Sequence, residues 1–130
     1  MNVPQIIVYG VLALFLVAYI RKFRLGRSVA QYSPAGVAEK LRTTGTVVLL
    51  DVRTERERQG HSIKGSLHIP IQSLAARAGE LEGYRQKEII CYCQTGNRSL
   101  AAAVRLKRLG FNAASMKGGI AEWNFSHMAH

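Results

Sequence analysis

Lys87-Glu88-Ile89-Ile90-Cys91-Tyr92-Cys93 runs into Gln94-Thr95-Gly96-Asn97-Arg98-Ser99 and then into Leu100-Ala101-Ala102-Ala103-Val104-Arg105-Leu106. Ile89 to Cys93 is short, apolar and preceded by charge, the pattern of a buried strand. A polar loop with one glycine follows. Leu100, Val104 and Leu106, with alanines between them, then recur at helical spacing. A cysteine therefore stands where a buried strand ends and a helix is about to begin. The first turn of a helix offers backbone N–H groups without internal partners, together with the positive end of the helix dipole. A loop feeding that turn is an anion cradle, and a thiol placed there is stabilised as the reactive thiolate. Gly96 permits a tight backbone turn, and Arg98 adds a planar fork of donors for an oxyanion. An isolated Cys reads as inert packing; the Gly- and Arg-bearing loop after Cys93 changes that reading to a nucleophile.

The same alternation extends along the chain. Ser33-Pro34 reads as a capped helix start, with Val37, Ala38 and Leu41 on the inner face and Gly45 as its stop. Thr46 to Val52 is a continuous apolar run rich in branched residues, as expected of a parallel strand covered on both faces. Thr54 to Gln59 predicts a short charged surface helix, Leu67 to Ile69 a short strand ended by Pro70, and Ile71 to Leu81 a helix with Leu74, Ala75, Ala78 and Leu81 inward. Gly110 ends the helix after the loop. Phe111 to Met116 predicts a last strand, and Gly118-Gly119 a turn into a short helix. Alternating strands and helices predict an α/β domain with a mostly parallel central sheet. Ligands of such sheets bind beyond the carboxyl ends of the strands, so Asp51, Arg53, Cys93 and Gly118-Gly119 are expected to meet at one edge.

The amino terminus is different. Among the 130 residues, no charged side chain occurs between Val3 and Ile20. About eighteen apolar residues is near the shortest helix that crosses a bilayer core. A cleaved signal peptide needs positive charge before its apolar run; Met1-Asn2 has none, and Arg21-Lys22-Phe23-Arg24 follows instead. A core helix apolar on every face does not suit so small a domain. The expectation is a transmembrane helix over 3–20, a basic juxtamembrane linker over 21–32, and a carboxyl-side domain in the cytoplasm by the positive-inside rule. The expected location is thus a single-pass protein of a bacterial inner membrane.

Net charge is +10; Arg21, Lys22, Arg24 and Arg27 account for four, leaving +6 on the remainder. That excess suits a small anionic substrate, a membrane-facing surface, or solubility alone. Nucleic acid is not an expected partner, because no basic stripe is interleaved with aromatics. The four His are scattered singly and no metal-ligand spacing occurs, so neither metal nor cofactor is expected. Cys91 and Cys93 are separated by one residue and point to one side of a strand, too close to bridge without strain.

Cys93-x-x-Gly96-x-Arg98-Ser99 resembles the active-site loop of the rhodanese-like family of sulfurtransferases. Three further motifs agree in order: Asp51-Val52-Arg53, Ile63-Lys64-Gly65-Ser66-Leu67-His68-Ile69-Pro70, and Lys117-Gly118-Gly119-Ile120-Ala121-Glu122-Trp123. The resemblance runs from about Ser33 to Trp123 and implies a three-layer rhodanese-like domain over 33–125. It implies Cys93 as catalytic nucleophile, Gln94, Thr95, Gly96, Asn97, Arg98, Ser99 and Arg53 as substrate-binding, and Asp51 as a supporting residue. Arg98 and Arg53 would hold the donor's oxyanion or shape the loop. The implied chemistry moves sulfane sulfur from thiosulfate or a similar small anionic donor to a thiol, protein or cyanide acceptor through a Cys93 persulfide. Two features depart from the pattern: Ser62 stands where the family has His, with His61 shifted by one, and Arg58 stands where it has an aromatic. A phosphatase or arsenate reductase using the same loop, or a non-catalytic binding module, are the alternatives. The six-residue span from Cys93 through Arg98 is one shorter than the related phosphatase loop.

Overall fold

The computed structural model describes residues 1–27 and 29–128. Helix α1 (Val3–Arg27) precedes strand β1 (Ala30–Tyr32), α2 (Pro34–Thr43), β2 (Val47–Asp51), α3 (Glu55–Gly60) and β3 (Leu67–His68). After a 3-10 turn at Ile71–Ser73 come α4 (Leu74–Arg77), a second 3-10 stretch at Ala78–Tyr84, β4 (Glu88–Tyr92), α5 (Asn97–Arg108), β5 (Ala113–Met116) and α6 (Gly119–Met128). The strands form one sheet in the order β1-β5-β4-β2-β3, and every pairing is parallel. Parallel strands must be joined by crossovers, which lay helices on both faces.

Two apolar clusters sandwich the sheet. On one face Leu50, Ile89, Cys91 and Ala113 meet Leu74, Leu81 and, from α5, Ala102, Ala103 and Leu106. On the other, Leu49, Ile90, Ala114 and Met116 meet Val37 of α2 and Ile120 of α6, with Trp123 packed beside them. Adjacent residues of one strand thus supply opposite cores, as the two-residue period requires. Full burial of each Leu or Ile here contributes about 1.5–3 kcal/mol. Three layers, helix–sheet–helix, are the result.

Ser33 caps α2 by accepting from the Gly36 amide at 3.1 Å, with Pro34 in the first turn. Of the expected inner face of α2, Val37 is fully buried, whereas Leu41 is 37 % exposed, one turn beyond the reach of the sheet. The segment expected as one helix over Ile71 to Leu81 is broken. Leu74, Ala78 and Leu81 are buried as expected, but Ala75 is exposed and the two 3-10 stretches tighten the chain over the core.

The expected tether is also different. Helix α1 continues through Arg27, and Ala30–Tyr32 pairs with Ala114, Ser115 and Met116 as an edge strand. Ser28, within that stretch, lies outside the described residues. Over Val3–Arg24 the mean hydropathy is 2.2 and none of the window is buried. Length and composition suffice to cross a membrane.

Candidate active site

The site is built where β2 and β4 end side by side. Asp51 pairs with Tyr92 in parallel register, so the residues that follow, Val52-Arg53 and Cys93, leave the sheet at one edge. Gly96, at φ +109°, caps α5, a conformation that glycine reaches without steric cost. A Cβ on Gly96 would also lie 3.2 Å from the Gly118 amide nitrogen, so the loop and the Gly118-Gly119 turn are in close contact. Gly119 has φ +63°, and a Cβ there would run into the carbonyls of Cys93 and Gln94. The first amides of α6 point up at the same carbonyls: Ile120 N–H donates to Cys93 O at 2.9 Å and Ala121 N–H to Gln94 O at 3.3 Å. The Gly-Gly turn is therefore the floor on which the loop after Cys93 is laid, at the edge where the strand-end argument expects it.

Cys93 is free and buried, but buried among donors. Gly96 N–H donates to Cys93 Sγ at 3.0 Å and Ser99 N–H at 3.4 Å. Ser99 Oγ lies 3.5 Å from the sulfur. As a thiol, Cys93 donates to that hydroxyl; as a thiolate, it accepts from it. Burial pushes the thiol upward, but the Ser99 hydroxyl and the amides of Ser99, Gly96 and Thr95 outweigh it and hold the thiol below its ordinary value. Sulfur at this position is therefore held toward the thiolate, the form that attacks. Ser99 is itself held in place: while Cys93 is a thiol, its one hydroxyl proton goes to Gly96 O at 3.0 Å, a bond it exchanges for the sulfur when Cys93 is a thiolate, and its oxygen shares a 2.8 Å bond with Ser115 Oγ on β5, both hydroxyls being buried. Cys91, on the same face two residues earlier, is wholly buried, and desolvation pushes its thiol up to about 12. Of the two cysteines, Cys93 alone is held toward the thiolate.

Arg98 leaves the first turn of α5 and forms a bidentate pair with Glu57, at 2.7 and 2.8 Å. Glu57 also closes a capping box with Thr54 at the start of α3. The Arg98 guanidinium holds the Glu57 carboxyl down to about 2. Loop and α3 are thereby clamped together. Thr95 and Asn97 are exposed on the loop; Gln94 and Arg98 are half-buried.

Arg53, expected among the substrate contacts, is fully buried. Its Nε and Nη2 donate to Asp51 at 3.1 and 3.0 Å, and Nη2 also donates to His61 O at 2.7 Å. With these donors spent inside the protein, Arg53 braces the end of β2 against the end of α3. Asp51 supports that brace from the centre of the network. It also accepts from Tyr92 Oη at 3.2 Å and from Arg58 Nη1 at 3.3 Å. A buried carboxylate is costly unless paired, and two arginines and a phenol compensate Asp51. Arg58, where the resemblance leads one to expect an aromatic ring, also donates to Ser66 Oγ and Ser66 O. The family's His position is filled by exposed Ser62, and His61, itself exposed, contributes its backbone carbonyl alone to this network. Glu57 and Ser115 are the site residues that motif reading missed. Each joins the site through a contact distant in sequence, so no local pattern marks it.

Residues 33–126 match the Rhodanese-like domain family. The chain belongs to the rhodanese-like family. Its relatives include a sulfurtransferase of Allochromatium vinosum, 27 % identical over 96 residues that cover 73 % of this chain and 88 % of that protein. An HTH-type transcriptional regulator of Mycobacterium tuberculosis is 38 % identical over 87 residues, 65 % of this chain but 38 % of that protein. The chain thus spans well under half of that relative. Among solved structures, a rhodanese-related protein from Thermoplasma volcanium superposes with a TM-score of 0.68 at 34 % identity, covering 75 % of this chain and 92 % of that one. The relatives thus include both a sulfurtransferase and a transcriptional regulator.

Proposed function

We propose that this rhodanese-like chain is a sulfurtransferase tethered to a membrane by α1, carrying sulfane sulfur on Cys93. The observation that carries the reading is the ring of Gly96 and Ser99 amides closed on a thiol held below its ordinary value. In the first step the Cys93 thiolate attacks the outer sulfur of thiosulfate or a similar donor. The bond between the two donor sulfurs breaks, and sulfite leaves with the bonding pair. Cys93 is left as a persulfide anion whose terminal sulfur inherits the loop amides, which supply electrostatic stabilisation without reorganisation. In the second step a thiolate or cyanide attacks that terminal sulfur, and the Cys93 thiolate leaves.

Arg98, half-buried and braced by Glu57, lies near enough to Cys93 to feel the charge of its thiolate, so it would set a fixed guanidinium beside an anionic donor. Gln94, Thr95 and Asn97 form the rim. The six-residue loop favours a compact sulfur centre over a phosphate. The unburied, charge-free span of α1, followed by Arg21, Lys22 and Arg24, supports the tether with the domain on the cytoplasmic side. The test is turnover by the full chain in detergent, with thiosulfate as donor and cyanide as acceptor. Thiocyanate should accumulate with wild type and be lost in Cys93→Ser. Hydrolysis of an aryl phosphate with no thiocyanate formed would instead support the phosphatase reading.

A further inference from the structure

Two features of the chain outside the catalytic loop converge on one surface. The first is the way α1 joins the domain. Its last residue is Arg27, while Val29 is already buried, in the cluster that also holds Ala102, Ala103 and Leu106 of α5. Two residues of backbone reach at most ~7 Å. If α1 crosses a membrane, the α5 side of the domain is held close to the lipid surface.

The second is the chemistry of that side. Neither α1 nor α5 contains an acidic residue, and α5 ends in Arg105, Lys107 and Arg108. Arg105 and Arg108 are exposed, as are Arg21 and Lys22. Among the described residues no carboxylate pairs with any of these four, whereas Lys40, Arg42, Arg53, Arg58, Arg77, Arg85 and Arg98 all have acidic partners.

Between the two helices runs an open groove of about 700 Å³. Leu14, Val17 and Ala18 line it on the α1 side, with Arg21, Lys22 and Arg108 beside them. Leu14 precedes Lys22 by two turns, so the wall passes from apolar to cationic over ~12 Å along the helix. A second hollow of about 430 Å³ shares Lys22 and Arg108 and continues past Arg105, Ala101 and Leu100 to Asn97 of the catalytic loop. An apolar stretch followed by clustered cations at the end of a membrane-length helix complements a lipid that has an acyl chain and an anionic head.

We propose that this groove binds an anionic phospholipid. Arg21, Lys22, Arg105 and Arg108 take the headgroup phosphate, and Leu14, Val17 and Ala18 lie along the acyl chain. The bound lipid seats the carboxyl end of α5 on the membrane surface, and the catalytic loop leads into the amino end of the same helix. The site rests on the reading of α1 as a membrane span.

The full chain would be reconstituted in nanodiscs of equal parts phosphatidylglycerol and phosphatidylcholine, then released in a native mass spectrometer. Wild type is expected to retain phosphatidylglycerol in preference to phosphatidylcholine. Arg105→Ser/Arg108→Ser should weaken that preference by roughly thirty-fold, about five-fold for each cation lost. Removing cations from elsewhere, as in Arg42→Ser/Lys64→Ser, should leave it unchanged. Added inorganic phosphate should neither bind as an adduct nor displace the lipid, which separates a headgroup site from a free-phosphate site. Equal retention of the two lipids, or an Arg105/Arg108 variant that behaves as wild type, would overturn the lipid site while leaving the span intact. A chain that does not incorporate into nanodiscs at all would overturn the span and the lipid site together.

Discussion

Ser99→Ala isolates the side-chain contribution to the Cys93 thiolate. The substitution removes the hydroxyl 3.5 Å from Sγ and leaves both amide donors, Gly96 at 3.0 Å and Ser99 at 3.4 Å. A hydrogen bond to a charged acceptor contributes about 1.5–3 kcal/mol, and a long contact to sulfur belongs at the lower end. One pKa unit corresponds to about 1.4 kcal/mol, so the Cys93 thiol should rise by about one unit. Ser115 Oγ would also lose its 2.8 Å partner inside the core, which costs about 1–3 kcal/mol of stability. The assay is the rate of iodoacetamide alkylation of the full chain against pH. Cys91 stays silent in the same range, because desolvation pushes its thiol up to about 12. The midpoint of the alkylation profile should move to higher pH in Ser99→Ala and return toward wild type in Ser99→Thr, which keeps the hydroxyl. An unmoved midpoint in a folded Ser99→Ala protein would refute the assignment of Ser99 as a thiolate donor.

The clamps around the loop should respond to substitution in graded ways. Gly119→Ala must force a side chain into the left-handed region, about 1–2 kcal/mol, and into the carbonyls of Cys93 and Gln94. Persulfide formation should fall at least tenfold, since displacing a reacting group by about 1 Å can cost about a hundredfold. Gly118→Ala carries the same left-handed penalty, φ being +74°, but the nearest atoms its Cβ meets belong to the flexible Glu122 side chain rather than to the loop backbone, so its effect on rate should be the smaller of the two. Glu57→Gln removes the charge that braces Arg98 and weakens the capping box of α3; thermal unfolding should report a loss of about 1 kcal/mol after solvent screening. Because the folded Glu57 carboxyl is depressed to about 2 from 4.5, the stability from this pair is complete above pH 4.5 and is lost as pH falls toward 2. Denaturant melts of wild type and Glu57→Gln should therefore converge across that interval; a difference that persists unchanged at the acid end would count against the pair.

The sheet and the position of the nucleophile are legible in the sequence because they depend on local pattern. The aliphatic runs Val47–Asp51 and Glu88–Tyr92 are long enough to show as buried strands, and the Gly-bearing loop after the second marks the turn into α5. Strand β1 shows no such pattern. Ala-Gln-Tyr is a three-residue edge strand, ordered by its pairing with β5. The stretch from Ile71 to Tyr84 has helical spacing of its apolar residues, yet the core accepts it as short, tightened turns. At the site, the loop residues are contiguous and could be listed from the motif. Glu57 and Arg98 lie 41 residues apart and Ser99 and Ser115 lie 16 apart; such partners emerge only once the strands are set in register. Arg53 shows the converse. Its place after a strand end is correct for a ligand contact, but the buried Asp51 carboxylate beside it claims the guanidinium.

Intact mass of the full chain after exposure to thiosulfate tests the account most directly. Wild type should gain the mass of one sulfur atom, the addition should map to Cys93 rather than Cys91, and a small thiol should remove it again. A wild-type protein that stays unmodified across a range of sulfane-sulfur donors, while its Cys93 titrates like an ordinary thiol, would contradict the account and leave a rhodanese-like binding module in its place.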